Sequence, residues 1–279
     1  MAMITADGAN LYVEETGKGY PIVFVHEFGA DHREWEAQVR YFSRQYRCIT
    51  FNARGYPPSD VPTSAQSYGW EQSRDDIAAV MRALAISKAH IVGLSMGAYA
   101  TLQFGLRYPE LASALVVAGV GTGSPPEIHK EWRSQSEALG RDFLEKGMHA
   151  MADLTAHSPT RIQLFKKDPR AWKEFLSHLQ EHSVQGMSHT VSRYQALRPS
   201  LHEAGAALSA LTIPTLLAVG DEDEPCLQTN LFLKQKIRSA GLWICPNTGH
   251  AINLEEPAAF NAAAIEFFGL AERGKWPVR

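Results

Sequence analysis

The sequence predicts an α/β fold: a mostly parallel sheet, helices on both of its faces, and a helical insertion that interrupts the sheet before it is complete. Three observations predict it. Short, almost wholly apolar runs alternate with helical patterns up to about Gly121, as expected of strands buried on both faces. No convincing strand follows between about Thr122 and Leu208. Strand-like runs then resume after Pro214.

Taken in order, Pro21 to His26 (PIVFVH) reads as a buried strand, β-branched and nearly continuous in its apolar character. Tyr46 to Asn52, Ala89 to Gly93 and Leu115 to Gly119 follow as further strands. Between them, Gln72 to Leu84 reads as helix because Ile77, Val80, Met81 and Leu84 recur at helical spacing. Strand, helix, strand, helix in succession implies parallel pairing through crossovers. The stretch that follows carries Trp132, Trp172, seven of the eleven histidines and repeated helical patterning, as in Trp172, Phe175, Leu176 and Leu179. Thr215 to Gly220 and Gly241 to Cys245 are the closing strands, and Pro257 to Phe268 the last helix. Residues 1–121 and 209–279 are therefore expected to form one sheet domain, and 122–208 a helical cap of the kind that covers an active site. No internal repeat or low-complexity stretch is present.

Composition narrows the function classes. With 45% hydrophobic and 20% charged residues, the chain has ample apolar material for a core. Its net charge of −3 and the absence of any Lys/Arg run give no reason to expect nucleic acid or an anionic membrane surface as partner. Met1 to Asn10 has neither the basic nor the apolar region of a signal peptide, and no apolar run approaches membrane-span length. The three cysteines, Cys48, Cys226 and Cys245, are odd in number and unclustered. That argues against a disulfide framework or a zinc site and for reduced thiols in the cytoplasm.

Gly93-Leu94-Ser95-Met96-Gly97 fits G-x-S-x-G, a nucleophile elbow. A serine at a very tight strand-to-helix turn has a strained backbone and a hydroxyl held up into the site. Glycines two residues to either side, Gly93 and Gly97, avoid clashes where helix crosses strand. The context matches, since the motif follows His90-Ile91-Val92 and opens a helix that stops at Tyr108-Pro109. A serine hydroxyl needs a base to take its proton and an acid to orient that base, in the order Ser, Asp, His. Asn247-Thr248-Gly249-His250 lies in a loop after the strand Gly241 to Cys245, where a base can reach back over the sheet. The acid falls among Asp221-Glu222-Asp223-Glu224, directly after the strand ending at Gly220; Asp223 and Asp221 are the candidates. The turn after the preceding strand, Gly119 to Gly123, contains no carboxylate.

This set of turns resembles the α/β-hydrolase superfamily: His26-Glu27-Phe28-Gly29, Arg54-Gly55, the Ser95 elbow, Gly220 to Asp223 and Gly249-His250. It is most similar to the capped branch that includes enol-lactonases, carboxylesterases, C–C bond hydrolases and cofactor-free perhydrolases. The resemblance implies an α/β-hydrolase fold and a Ser95–Asp223–His250 triad, the aspartate third after the strand-ending glycine being the family's acid. It also implies an oxyanion hole from the backbone amides of Met96 and Phe28, whose side chains would line the acyl pocket. The implied activity is hydrolysis of a small-molecule ester or lactone through an acyl-enzyme, with no cofactor and no metal. Two residues depart from the pattern. Glu27 stands where the family usually has glycine, and is expected to point away from the site or, failing that, to place a carboxylate in the pocket. Asn52 stands where an aspartate is common, at a position expected to be structural.

Other motifs lead nowhere. His26-Glu27 followed by His32 is not H-E-x-x-H, because position 30 is Ala. Gly119 to Gly123 imitates a dinucleotide loop but lacks the last glycine and runs into Pro125-Pro126. The histidines at 129, 149, 157, 178, 182 and 189 lack ligand spacing and are expected at the surface, with one or two lining a pocket beside candidates such as Trp132 and Trp172. Two readings compete with the esterase. One is a C–C bond hydrolase or enol-lactonase on the same triad. The other is a ligand receptor with a slow triad, which fold alone does not exclude.

Overall fold

Eight strands pair into one sheet: β1 (Ala2–Ala6), β2 (Ala9–Thr16), β3 (Tyr20–Val25), β4 (Tyr46–Phe51), β5 (Ala89–Leu94), β6 (Ala112–Ala118), β7 (Thr215–Gly220) and β8 (Ala240–Cys245). The computed structural model describes residues 1–279. Spatial order is β1-β2-β4-β3-β5-β6-β7-β8, antiparallel from β1 to β4 through β2 and parallel from there on. The strands from β3 onward lie where the apolar runs placed them. The β1–β2 hairpin is the element not read from sequence; its register closes Ala6 onto Ala9 around Asp7-Gly8, with Gly8 at φ 71°.

The helices are α1 (Glu36–Phe42), α2 (Trp70–Ala83), α3 (Met96–Arg107), α4 (Pro126–Ala156), α5 (Ile162–Lys167), α6 (Pro169–Gln180), α7 (Val184–His189), α8 (Gly205–Ala210), α9 (Glu224–Lys236), α10 (Ile252–Glu255) and α11 (Pro257–Glu272). Because successive strand side chains point to opposite faces, each apolar run serves two cores. Val23, Ile91, Leu115, Val117 and Leu217 pack with Ile77, Val80 and Met81 of α2 and Tyr99 and Leu102 of α3. Phe24, Val92, Leu94, Val116 and Leu216 pack on the other face with Phe42 of α1 and Phe260, Phe267 and Phe268 of α11.

Between β6 and β7 the chain is helical. α6 shows why these segments form as they do. Asp168 caps it, accepting from the Arg170 and Ala171 amides, Pro169 occupies its first turn, and Trp172, Phe175 and Leu179 are its buried stripe. α4 is broken at Gly147, where φ is 78°. α7 runs into a π turn, Thr190–Gln195, and meets the turn after β4 closely: a Cβ on Gly186 would fall 1.9 Å from the Gly55 carbonyl oxygen. From that π turn the Tyr194 hydroxyl donates to the Met96 carbonyl at 2.6 Å, joining the helical segment to the elbow.

Turns after β4 are fixed by polar groups. Asn52 accepts from the His32 amide (2.9 Å) and donates to the Pro57 carbonyl (2.8 Å), a structural role. Arg54 and Asp76, both buried, form a two-pronged pair at 2.9 and 2.7 Å. His26 lies with its Nε2 accepting from the Ala53 amide at 2.9 Å, and burial lowers its pKa to about 4, so it stays neutral and ties two turns together.

Candidate active site

Ser95 joins β5 to α3 with φ 52° and ψ −109°, a backbone conformation that costs a non-glycine residue on the order of 1–3 kcal/mol. The surrounding structure holds it there. The Ser95 amide donates to the Ala118 carbonyl at 2.8 Å, and its own carbonyl accepts from the Tyr99 amide at 2.9 Å. The glycines are obligatory because helix and strand touch: a Cβ on Gly97 would sit 2.1 Å from the Val25 carbonyl oxygen, and one on Gly93 2.3 Å from that of Gly97. Met96 begins α3, where a helix leaves its first N–H groups without an intrahelical acceptor.

The turns after β7 and β8 deliver the other two groups. His250 Nε2 is 2.8 Å from Ser95 Oγ, and His250 Nδ1 is 2.9 Å from Asp223 Oδ2. Asp223 and His250 are buried, whereas Asp221 is exposed and accepts from the Thr248 amide at 3.1 Å, shaping the histidine loop. Burial alone would push the His250 imidazole down. The Asp223 carboxylate, by charge and hydrogen bond, outweighs it and holds the imidazole well above its ordinary pKa. Cys226 lies behind the pair, its Sγ 3.9 Å from His250 Nδ1, and burial pushes its thiol up. Asp223, Cys226 and His250 thus bring ligand-type atoms within 4.8 Å of one another, two of them already bonded to each other.

Sequence reasoning missed Glu255. Its carboxylate accepts from the amides on either side of the histidine, Gly249 at 2.6 Å and Ala251 at 3.1 Å. The signal was slight, an acid one helical turn after Ala251.

The turn after β3 brings Glu27 and Phe28 to the same place. The outward orientation expected for Glu27 is not found. It is buried, and its Oε2 lies 3.7 Å from His250 Nε2 and 2.7 Å from Arg161 Nη2. The reason is Arg161 itself, a buried cation from the turn between α4 and α5 that no motif marked, which draws the carboxylate inward. Glu34 accepts from the Glu27 amide (3.2 Å); burial and the neighbouring Glu27 charge raise its pKa well above the usual carboxylate range. Phe28 is half-buried, its ring edge-on to Phe143 at 6.1 Å, and its amide has no backbone or side-chain acceptor within the chain.

A serine, an aspartate and a histidine on the C-terminal ends of parallel strands, in that chain order, accompany a match to the model of the alpha/beta hydrolase fold family over residues 20–257. The chain belongs to the α/β-hydrolase fold family. It is an enzyme of the hydrolase class. It is 30% identical over 247 residues to 3-oxoadipate enol-lactonase 1 of Acinetobacter baylyi, covering 86% of this chain and 85% of that one. It is 27% identical over 281 residues to the 2-hydroxy-6-oxononadienedioate/2-hydroxy-6-oxononatrienedioate hydrolase of Burkholderia vietnamiensis, covering 95% and 93%. Among solved structures it superposes on a thermophilic esterase from Thermogutta terrifontis with a TM-score of 0.85 at 23% identity, covering 96% and 97%.

Two further residues of this hydrolase were singled out as lining candidates. Trp132 is half-buried against the turn after β6: a Cβ on Gly123 would meet its ring at 2.2 Å, and its Nε1 donates to the Gln195 carbonyl at 3.3 Å. It makes no hydrogen bond to Ser95, Asp223 or His250. Trp172 is buried, donating to the Ala156 carbonyl at 2.7 Å. Of the histidines expected at the surface, His182 is buried instead, edge-on to Tyr56 at 5.1 Å, and burial lowers its pKa to about 4. No helix is long and apolar enough to cross a membrane.

Proposed function

We propose that the chain is a serine hydrolase that cleaves a small carboxylic ester or lactone through an acyl-enzyme on Ser95. One observation supports it above the rest: an unbroken relay from Asp223 Oδ2 through His250 to Ser95 Oγ, at 2.9 and 2.8 Å, ending on a serine in strained backbone geometry. In this reading His250 Nε2 takes the Ser95 proton as Oγ bonds to the substrate carbonyl carbon. The Phe28 and Met96 amides bind the alkoxide that forms. As the bond to the leaving oxygen breaks, that oxygen takes the proton from His250 and departs as an alcohol. Water then repeats the attack, giving its proton to His250, and Ser95 leaves with the proton restored. Asp223 stays ionised and holds the imidazole in the useful tautomer. Residues 122–208 act as the cap, and the three free buried cysteines suit a reducing, cytoplasmic compartment.

The second reading keeps the same triad for a C–C bond or an enol-lactone, and is favoured by the names of the relatives from Burkholderia and Acinetobacter. A receptor with a slow triad is separated from both by one experiment. Intact-mass spectrometry after incubation with a small fluorophosphonate should give one adduct on wild type and none on Ser95→Ala. A folded wild type that stays unlabelled would sink the hydrolase reading.

A further inference from the structure

The proposed hydrolysis makes no use of the ion pair that stands on the reacting side of the imidazole. Glu27 is 1% exposed and Arg161 3% exposed. Glu27 Oε2 lies 3.7 Å from His250 Nε2, the nitrogen that faces Ser95 Oγ. Most of the pair's surroundings are occupied. The Glu27 amide donates to Glu34, Arg161 Nη1 donates to the Thr160 carbonyl at 3.1 Å, and the guanidinium lies 4.7 Å from the Phe175 ring centre. Yet each partner keeps one buried polar atom without a hydrogen bond: Glu27 Oε1, an acceptor, and Arg161 Nε, a donor. Buried polar groups are nearly always paired, and an unmade bond of this kind is costly. Two of them on one ion pair, next to a nucleophile, mark a place that ligand atoms complete.

The charge balance narrows the class of ligand. Glu27 already cancels Arg161, and Glu34, Asp223 and Glu255 are buried around the same turns. Lys167 is engaged with Glu256 at 2.6 Å. An anionic substrate group would meet the Glu27 carboxylate with no uncompensated cation to offset it. An alkyl group would leave both atoms unsatisfied. A neutral group that offers both an acceptor and a donor satisfies both atoms.

We propose that Glu27 and Arg161 form a polar subsite for a carboxamide-like group of the substrate, its carbonyl oxygen accepting from Arg161 Nε–H and its N–H donating to Glu27 Oε1. This deepens the serine-hydrolase reading and rests on it. The acyl or alcohol portion cleaved at Ser95 therefore carries an amide a short distance from the scissile carbonyl, and neither a free carboxylate nor a bare alkyl chain replaces it.

The test uses methyl esters of malonyl, succinyl and glutaryl length, each as half-amide, half-acid and matched alkyl ester. On wild type, the best half-amide should exceed its half-acid and alkyl counterparts in kcat/KM by about 10- to 100-fold, the worth of hydrogen bonds to charged groups. The double variant Glu27→Gln/Arg161→Met leaves no buried charge stranded, and there the ratio should collapse toward one, chiefly through KM. A wild-type preference for half-acid or alkyl esters overturns the subsite, as does a half-amide preference unchanged in the double variant. The wild-type ratio decides even if the double variant does not fold. Fluorophosphonate labelling of the same wild-type sample separates the two levels. An adduct without half-amide preference removes the subsite alone, and no adduct removes the hydrolase reading beneath it.

Discussion

Glu255 offers the sharpest test of how the histidine loop is held. Its two carboxylate oxygens accept from the Gly249 and Ala251 amides at 2.6 and 3.1 Å, bracketing His250. Glu255→Gln preserves shape but supplies one acceptor where two are needed. Its NH2 must face one of the two amides, donor against donor. One charge-assisted bond is lost and one buried N–H is stranded, together about 2–4 kcal/mol. Burial raises the Glu255 pKa, though the two amides and the nearby Lys167 and Arg161 charges pull it back. A neutral amide escapes that desolvation, so the lower figure, about 2 kcal/mol, is expected. In a chain of this size that lowers Tm by about 4–8 °C. A loop released on both sides of the base also lets Nε2 drift from its 2.8 Å contact with Ser95 Oγ. Displacements of about 1 Å at a reacting group cost about 10²-fold. The assays are thermal denaturation and kcat/KM on a short acyl ester. A variant within 1 °C of wild type in Tm (about a quarter of the smallest shift expected) and unchanged in kcat/KM would refute the clamp.

Three other perturbations follow from the same geometry. Activity that depends on neutral His250 falls as pH drops through its pKa, and because Asp223 holds that pKa above the ordinary histidine value, the kcat/KM profile of wild type should break above it. Asp223→Asn should move that break down and lower kcat by about 10⁴-fold, whereas Asp221→Asn, altering a loop contact, should leave the break in place; pH–rate profiles of both variants decide. Gly97→Ala forces a methyl to within 2.1 Å of the Val25 carbonyl, so little soluble protein with a cooperative melt is expected from expression and calorimetry. Arg54→Met strands the buried Asp76 carboxylate and should cost about 3–5 kcal/mol in urea denaturation, against a near-neutral result if the pair were dispensable.

What was legible in the sequence was whatever has a local cause. Pro21 to His26 and Thr215 to Gly220 read as strands because burial on both faces demands continuous apolar character. Ser95 was legible because its strained φ needs flanking glycines that leave a pattern. The β1–β2 hairpin had its signal too. Asp7-Gly8 is a turn pair, and Leu11 and Val13 alternate with Tyr12 and Glu14, inward and outward, but the strands are short and polar on one side. Arg161 and Glu255 had no comparable signal. In sequence Arg161 is the end of a Ser-Pro-Thr-Arg turn and Glu255 one of two adjacent acids. Their roles come from partners far away in the chain or from a loop whose path only the folded sheet sets. Glu27 was misjudged for the same reason, since its direction is set by a cation 134 positions later (161 − 27).

The site's three inward carboxylates show how position decides what a buried charge does. Asp223 faces a titratable ring and so raises its basicity. Glu255 faces only amides, and its charge is spent fixing backbone. Glu27 faces the reacting edge of His250, where an alkoxide would form nearby and an unpaired negative charge would oppose it. A carboxylate there is compatible with ester chemistry only if a cation accompanies it, and the sheet-end turns supply none. Arg161 comes from the helical segment between β6 and β7. Arg161→Met alone should therefore be worse for turnover than the double variant with Glu27→Gln, although the double variant departs further from the native sequence. Single and double variants compared in kcat on one alkyl ester test this: a double variant slower than the single one would mean that Arg161 does more than neutralise Glu27.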